Sequence, residues 1–330
     1  MDKLLKTSLI LFSLAFSFMQ ANSQQLPLYS QYMMNKFLLN PALAGGEGYT
    51  TVNLTAREQW LGLKDAPSTH ALSVQTRLLN NNFILRRPSV RRRQYRSSRG
   101  GNVGLGAYLY NDRNGIFDRT GIQLTYAYHI PMNESQLSFG VSATAFQFTL
   151  NDQLLKLYQQ QDQLVNGSDK TLYVPDANFG VYYGTPTYYV GLSAAQLLQS
   201  SLKFGSEGGS DFKMLRTYFL TGGYKWDLRN DYEIEPSLLM KTTENFKPQL
   251  DINTKVYYQD KYWGGLSYRT GNGGGALIFM AGLKVDKFYF GYAFDYTLSN
   301  IGRYTYGSHE VMIAAKFGST PRRYKWLNNY

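Results

Sequence analysis

A two-residue rhythm runs through most of this chain, and no other feature restricts its fold as much. Segments at approximately 49–60, 68–79, 102–111, 119–130, 136–149, 176–184, 187–197, 213–226, 232–242, 249–258, 262–270, 275–285, 287–297 and 308–317 alternate apolar with polar residues. Successive side chains of a strand point to opposite faces, so alternation marks strands whose two faces meet different surroundings. In "VGLGAYLYND", Val103, Leu105, Ala107 and Leu109 alternate with Gly104, Gly106, Tyr108 and Tyr110. In "LDINTKVYY", Leu250, Ile252, Val256 and Tyr258 oppose Asp251, Asn253, Lys255 and Tyr257. Beyond the first two dozen residues, no apolar run reaches the length of a membrane helix.

Two architectures satisfy such strands. A soluble sandwich buries the apolar faces, whereas an outer-membrane barrel turns them to lipid and the polar faces to the lumen. The connections favour the barrel. If the chain starts in the periplasm, every second connection should be a short turn, and those read "PMNES", "GTPT", "DLRND", "QDK" and "VDK". The intervening ones are mostly longer, and "NDQLLKLYQQQDQLVNGSDKTLYVPD" and "LLQSSLKFGSEGGSDF" are placed outside the cell. Aromatics crowd the short turns: Tyr182, Tyr183, Tyr188 and Tyr189; Tyr257, Tyr258, Tyr262 and Trp263; Tyr224, Trp226 and Tyr232. They are expected to form an interfacial girdle. An even strand number returns the C-terminus to the periplasm, after a last strand "EVMIAAKF" ending in Phe317. The predicted fold is all-β: a transmembrane, antiparallel, up-and-down β-barrel of about 14 strands over residues 49–317.

The barrel is preceded by an export signal. Lys3 and Lys6, the apolar run Ser8 to Met19, and small residues Ala21 and Ser23 make residues 1–23 a cleaved signal peptide, with Gln24 as the mature N-terminus. Losing it lowers the net charge from +11 to +10, since Lys3 and Lys6 depart with Asp2. The absence of Cys fits an exported chain without disulfide staples. Residues 24–48 read as an N-terminal periplasmic or plug segment. Tyr29, Tyr32 and Phe37 make it too aromatic for a loose tail, and Asn40 and Pro41 punctuate its approach to the first strand.

The inward face of the strands also carries charge. Glu233, Glu235 and Lys241 share a face of one strand, and Asp251, Lys255, Arg269 and Asp295 line the lumen on its neighbours. Glu233 and Glu235 stand about 7 Å apart, a spacing compatible with acid/base chemistry, but pairing among opposite charges is the better reading. Pro236 lacks the donor a ladder needs, so a bulge or irregular rim is expected there. An enzyme is not expected. Histidine occurs only at 70, 129 and 309, and neither a His-Glu-x-x-His zinc motif nor a Gly-x-Ser-x-Gly elbow is present. The "GGNVGLG" and "GNGGG" stretches open no helix that would cradle phosphate, and no cofactor is expected.

One connection breaks the pattern of short turns. "RRPSVRRRQYRSSR", residues 86–99, holds seven arginines, and it falls between the second and third strands on the periplasmic side. Nucleic acid is not an expected partner there. Arg86, Arg87, Arg91, Arg92, Arg93, Arg96 and Arg99, with Tyr95 among them, are candidates for binding a periplasmic partner, together with Arg322, Arg323, Lys325 and Trp326 of the basic tail 318–330. The competing reading is contact with anionic lipid headgroups.

"LYSQYMMNKFLLNPALAG", "REQWLGLKDAPSTHALS", "EIEPSLLMK", "YWGGLSYRTG", "FGYAFDYTLSNIG" and "GSHEVMI" resemble, in order and spacing, the PorP/SprF family of type IX secretion system outer-membrane proteins of Bacteroidetes. The resemblance runs from about Leu28 to Phe317 and leaves out the arginine-rich insertion and the tail. It implies an outer-membrane barrel that works with other secretion components in the periplasm and outer membrane to export cargo such as gliding adhesins and retain it at the cell surface. The alternative is a passive porin or ligand channel. Bulky inward residues such as Tyr108, Tyr110, Tyr257 and Tyr289 favour a closed lumen.

Overall fold

The structure is a computed structural model and describes residues 27, 29–78, 101–132, 134–150, 171–203, 211–228, 231–245, 248–271 and 274–318. The predicted signal peptide 1–23, the arginine-rich run 86–99 and the tail residues Arg322, Arg323, Lys325 and Trp326 lie outside the described residues.

Fourteen wall strands follow one another in the order of the chain. They are β1 (Thr50–Glu58), β2 (Ser68–Leu78), β3 (Val103–Asn114), β4 (Phe117–Pro131), β5 (Gln136–Leu150), β6 (Thr171–Gly184), β7 (Tyr188–Ala195), β8 (Thr217–Tyr224), β9 (Tyr232–Thr243), β10 (Gln249–Tyr258), β11 (Tyr262–Arg269), β12 (Ala276–Val285), β13 (Phe288–Thr297) and β14 (Ser308–Phe317). Each pairs antiparallel with its neighbours in sequence, and β1 pairs with β14 from Thr50 opposite Phe317 to Glu58 opposite His309. The ring is closed, which satisfies every strand edge internally, as a hydrocarbon surrounding demands. A small separate hairpin pairs Ser201–Lys203 with Asp211–Lys213.

The alternation sorts residues between two media. Leu124, Val141, Leu192, Ile252, Leu266 and Phe279 point outward, each half exposed or more, while their chain neighbours Gln123, Ser142, Ser193, Asp251, Ser267 and Ile278 are buried. The lumen is not wholly polar: Phe146, Phe148, Phe219, Ile278 and Met280 are also buried there, packed with Tyr29, Tyr32, Met33 and Phe37 of the N-terminal segment.

Tight turns cluster at the end of the barrel that carries the start of β1 and the end of β14. Gln259, Asp260 and Asp286 adopt positive φ of 53, 51 and 54°, as short hairpins between twisted strands require. The girdle expected at this end is only half present. Tyr188, Tyr224, Trp226, Tyr232, Tyr258 and Tyr262 face outward, but Tyr182, Tyr189 and Trp263 are buried inside. Adjacent aromatics on one strand cannot share a face, so the two-residue period sends every second one into the lumen.

Pro236 produces no bulge. β9 pairs with β10 in unbroken register through Pro236 opposite Thr254. On its other side the ladder to β8 stops at Gly223 opposite Ser237 and resumes with Trp226 opposite Ile234 in the same register. Pro236 falls in the interval where the ladder has lost its bonds, so the strand is interrupted without being shifted.

Candidate functional site

An empty fourteen-stranded wall is too wide for its own side chains to fill. Here the space is taken by the segment that precedes β1. Its backbone turns twice in short 3₁₀ pieces, Lys36–Leu38 and Pro41–Leu43, and the Asn40 side chain caps the second by accepting from Ala42 N at 2.9 Å. Tyr29, Tyr32, Asn40 and Pro41, singled out in the sequence, are all buried within the barrel.

The wall receives this segment at positions where it lacks side chains. A Cβ on Gly140 would stand 2.3 Å from Ala42 N, and one on Gly104 would stand 1.9 Å from Ala44 O. Both distances are far inside van der Waals contact, so glycine is what allows the segment's backbone to lie on the sheet. His129 lies beside this seat, its Nε2 2.9 Å from Ala44 O and its Nδ1 2.8 Å from Ser138 Oγ. The other end of the segment lies farther along β3, where Tyr29 Oη is 2.5 Å from Tyr108 Oη.

Two charge clusters hold it. The upper one lies near the ends of β1, β11 and β13 and the start of β14, away from the tight turns. Arg57 Nη2 donates to Asp295 at 2.7 Å, and its Nη1 lies 3.3 Å from Glu310 and donates to Ser30 Oγ at 2.7 Å. Ser30 N and Gln31 N both donate to Glu310, at 2.7 and 2.8 Å. Arg269 pairs with Asp251 at 2.9 Å and Asp295 at 3.5 Å and donates to Tyr29 O at 3.2 Å. The lower cluster centres on Glu235, which pairs with Lys36 at 3.2 Å and Lys255 at 3.6 Å and accepts from Tyr189 Oη at 2.9 Å and Tyr257 Oη at 3.0 Å. Beside it Lys225 lies 3.5 Å from Glu233.

The structure therefore places all seven charges read from the strand phase, Glu233, Glu235, Lys241, Asp251, Lys255, Arg269 and Asp295, on the inner side of the wall. It brings Glu235 together with Lys255, and Asp251 and Asp295 with Arg269. Glu233 and Glu235 are each held by lysines. Sequence reasoning missed Arg57, Glu310, Lys36 and Lys225. Arg57 was findable, because it shares the inward phase of Asn53 and Thr55. Lys36 carries no such signal, since its segment has no period. The other histidines face outward: His70 lies 3.8 Å from Glu58, and His309 Nδ1 is 2.7 Å from Tyr292 Oη. Among the described residues, no group of three or more histidines and carboxylates could hold a metal.

A closed antiparallel barrel with an apolar exterior and a polar, chain-filled interior defines an integral outer-membrane protein. Similar architectures include the Ralstonia pickettii toluene transporter TbuX, with TM-score 0.47, 11% identity, and 86% of this chain and 93% of that one covered. The CymD monoaromatic hydrocarbon channel gives TM-score 0.47 and 11% identity over 89% and 94% of the two chains. The Acinetobacter baumannii outer membrane protein Omp33 gives 0.43 and 8% over 83% and 100%. No curated protein matches the sequence. A family model does: residues 21–315 match the type IX secretion system membrane protein PorP/SprF, and the chain belongs to that family.

Proposed function

We propose that this barrel acts by interaction, and that it supports export and surface retention of large cargo such as adhesins while docking periplasmic parts of the type IX machinery. The observation that carries this reading is the filled lumen. Residues 29–44 are tied to β1, β11, β13 and β14 by Arg57, Arg269, Asp295 and Glu310 at one level and to β9 by Glu235 at another. A passive channel needs a continuous aqueous path, and a segment held by buried ion pairs opposes one. No chemistry is assigned to the charges, because each carboxylate of the two clusters is paired with a cation. The arginine-rich run 86–99 and the basic tail belong to the same proposal as the periplasmic docking element: guanidinium groups pair bidentately with carboxylates, and Tyr95 adds an aromatic of the kind interfaces use.

The test is a gene deletion scored for two phenotypes. Export or surface retention of large cargo should fall while uptake of small solutes is unchanged. Selective loss of one solute's uptake, with cargo normal, would favour the channel instead.

A further inference from the structure

At the end of the barrel away from the tight turns, a cavity remains above the N-terminal segment. Tyr29, Leu38 and Leu39 of the segment form its floor, and Tyr110, Phe146 and Phe219 stand in its wall. The amides that line it are spent on one another: Asn178 Nδ2 donates to Gln123 Oε1 at 3.0 Å, and Asn178 Oδ1 accepts from Gln196 N at 3.1 Å.

Two cations at this cavity are not spent. Arg119 lines it and is 8% exposed. Its Nε donates to Tyr110 Oη at 3.1 Å, and its guanidinium carbon lies 4.3 Å from the centre of the Phe146 ring. Neither Nη has a partner among the described residues, and neither is sealed from the cavity. Asp112 stands directly opposite on β3, yet no ion pair forms: Asp112 accepts from Thr69 Oγ1 at 2.6 Å, while Arg119 turns to the rings. Asp176, also in the lining, accepts Ala177 N and Leu198 N through one oxygen at 2.7 and 3.0 Å, and its other oxygen is closed to solvent. Lys241, opposite Phe219 across β8 and β9, is 7% exposed and has no partner among the described residues. Around it stand Arg119, Arg269, Asp112 and Asp251, and Asp251 is taken by Arg269 at 2.9 Å. Charged side chains are almost never this buried unless they are paired. Stacking on Phe146 orients the guanidinium in advance, and its free edge presents two parallel N–H donors, the pattern that grips one carboxylate with two bonds.

We propose that this cavity binds a carboxylate carried on a small apolar body. Arg119 grips the carboxylate, Lys241 adds positive charge, and the rings of Tyr110, Phe146 and Phe219 pack on the body. A phosphate would need more donors than one guanidinium edge and one ammonium, and it would gain nothing from the aromatic wall. The carboxylate belongs either to a free small molecule or to the end of a peptide. It enters from the mouth above the segment, so no path through the lumen is required. The inference goes beyond the interaction-barrel reading and is independent of it: an absent deletion phenotype would leave the site standing, and an empty site would leave that reading standing.

The probes are 3-phenylpropionate, its primary amide, and a short glycine peptide ending in phenylalanine with a free carboxylate. Saturation-transfer NMR reads their binding to the purified full-length barrel in lipid nanodiscs, with empty nanodiscs as control. Wild type should bind at least one of the two acids saturably, the tighter one naming the source, and the amide about tenfold or more weaker. Arg119→Gln should weaken the acid by about the same factor and leave the amide unchanged. Lys241→Met should weaken the acid by less, and it serves as the second variant if Arg119→Gln assembles poorly; heat-modifiable gel mobility reports assembly. Absence of saturable binding by both acids overturns the proposal. So does equal affinity for acid and amide, or acid binding that the assembled variants leave unchanged.

Discussion

Replacing Arg57 with methionine is expected to loosen the upper end of the lumen segment while leaving the wall assembled. Arg57 is 3% exposed and faces two carboxylates, Asp295 at 2.7 Å and Glu310 at 3.3 Å. Glu310 in turn accepts the backbone N–H groups of Ser30 and Gln31. Methionine keeps much of the volume but removes the charge, so Glu310 loses its cation and Asp295 keeps only Arg269 at 3.5 Å. Removing one partner of a buried pair costs about 3–5 kcal/mol. If that cost falls on the state in which the segment is docked, its opening equilibrium rises roughly 100- to 4,000-fold at about 1.4 kcal/mol per decade. Amide hydrogen exchange of residues 29–39 in nanodiscs reads this directly, with the β-strand amides as internal control. Adding Glu310→Gln should restore part of the protection, because it removes the orphaned charge. Exchange of residues 29–39 within threefold of wild type in Arg57→Met would refute the reasoning and show that packing alone holds the segment.

Gly140→Leu should displace the segment near Pro41 and Ala42, since a side chain there enters space occupied by backbone. Protease cleavage within 35–45 should then become detectable in an assembled barrel, and continued resistance would contradict the seat described. In planar bilayers the wild-type protein should show no steady porin-like conductance, and a variant lacking residues 29–44 should show one; equal conductance of the two would remove the closed-lumen argument. On intact cells, a membrane-impermeant thiol reagent should label Lys64→Cys but not Asp286→Cys, and the reverse pattern would invert the proposed orientation. Replacing Arg91, Arg92, Arg93 and Arg96 with Gln should reduce recovery of periplasmic partners and flatten its dependence on salt. Recovery and salt sensitivity equal to wild type would point to lipid contact.

The wall was legible in the sequence. A period of two is a local property, so the strands, their number, and the identity of outward and inward residues could be read one segment at a time. Asp251, Lys255 and Arg269 were placed inside by phase alone, and they lie inside. The same rule, applied to neighbouring aromatics, would have moved Tyr182, Tyr189 and Trp263 out of the girdle. Closure of the ring also followed, since even parity and an apolar exterior leave no edge that lipid would tolerate. What fills the ring emerged only once the strands were assembled. The segment before β1 has no period, and its contacts span great distances in the chain, as from Ser30 to Glu310 or from Lys36 to Glu235. Nothing local distinguishes Gly104 or Gly140 from other strand glycines until the backbone that rests on them is in place. The register of the wall sets Asp251 opposite Arg269 and Glu235 opposite Lys255, but the remaining partners, Lys36 and the N–H groups of Ser30 and Gln31, arrive only with that backbone as it enters between the walls.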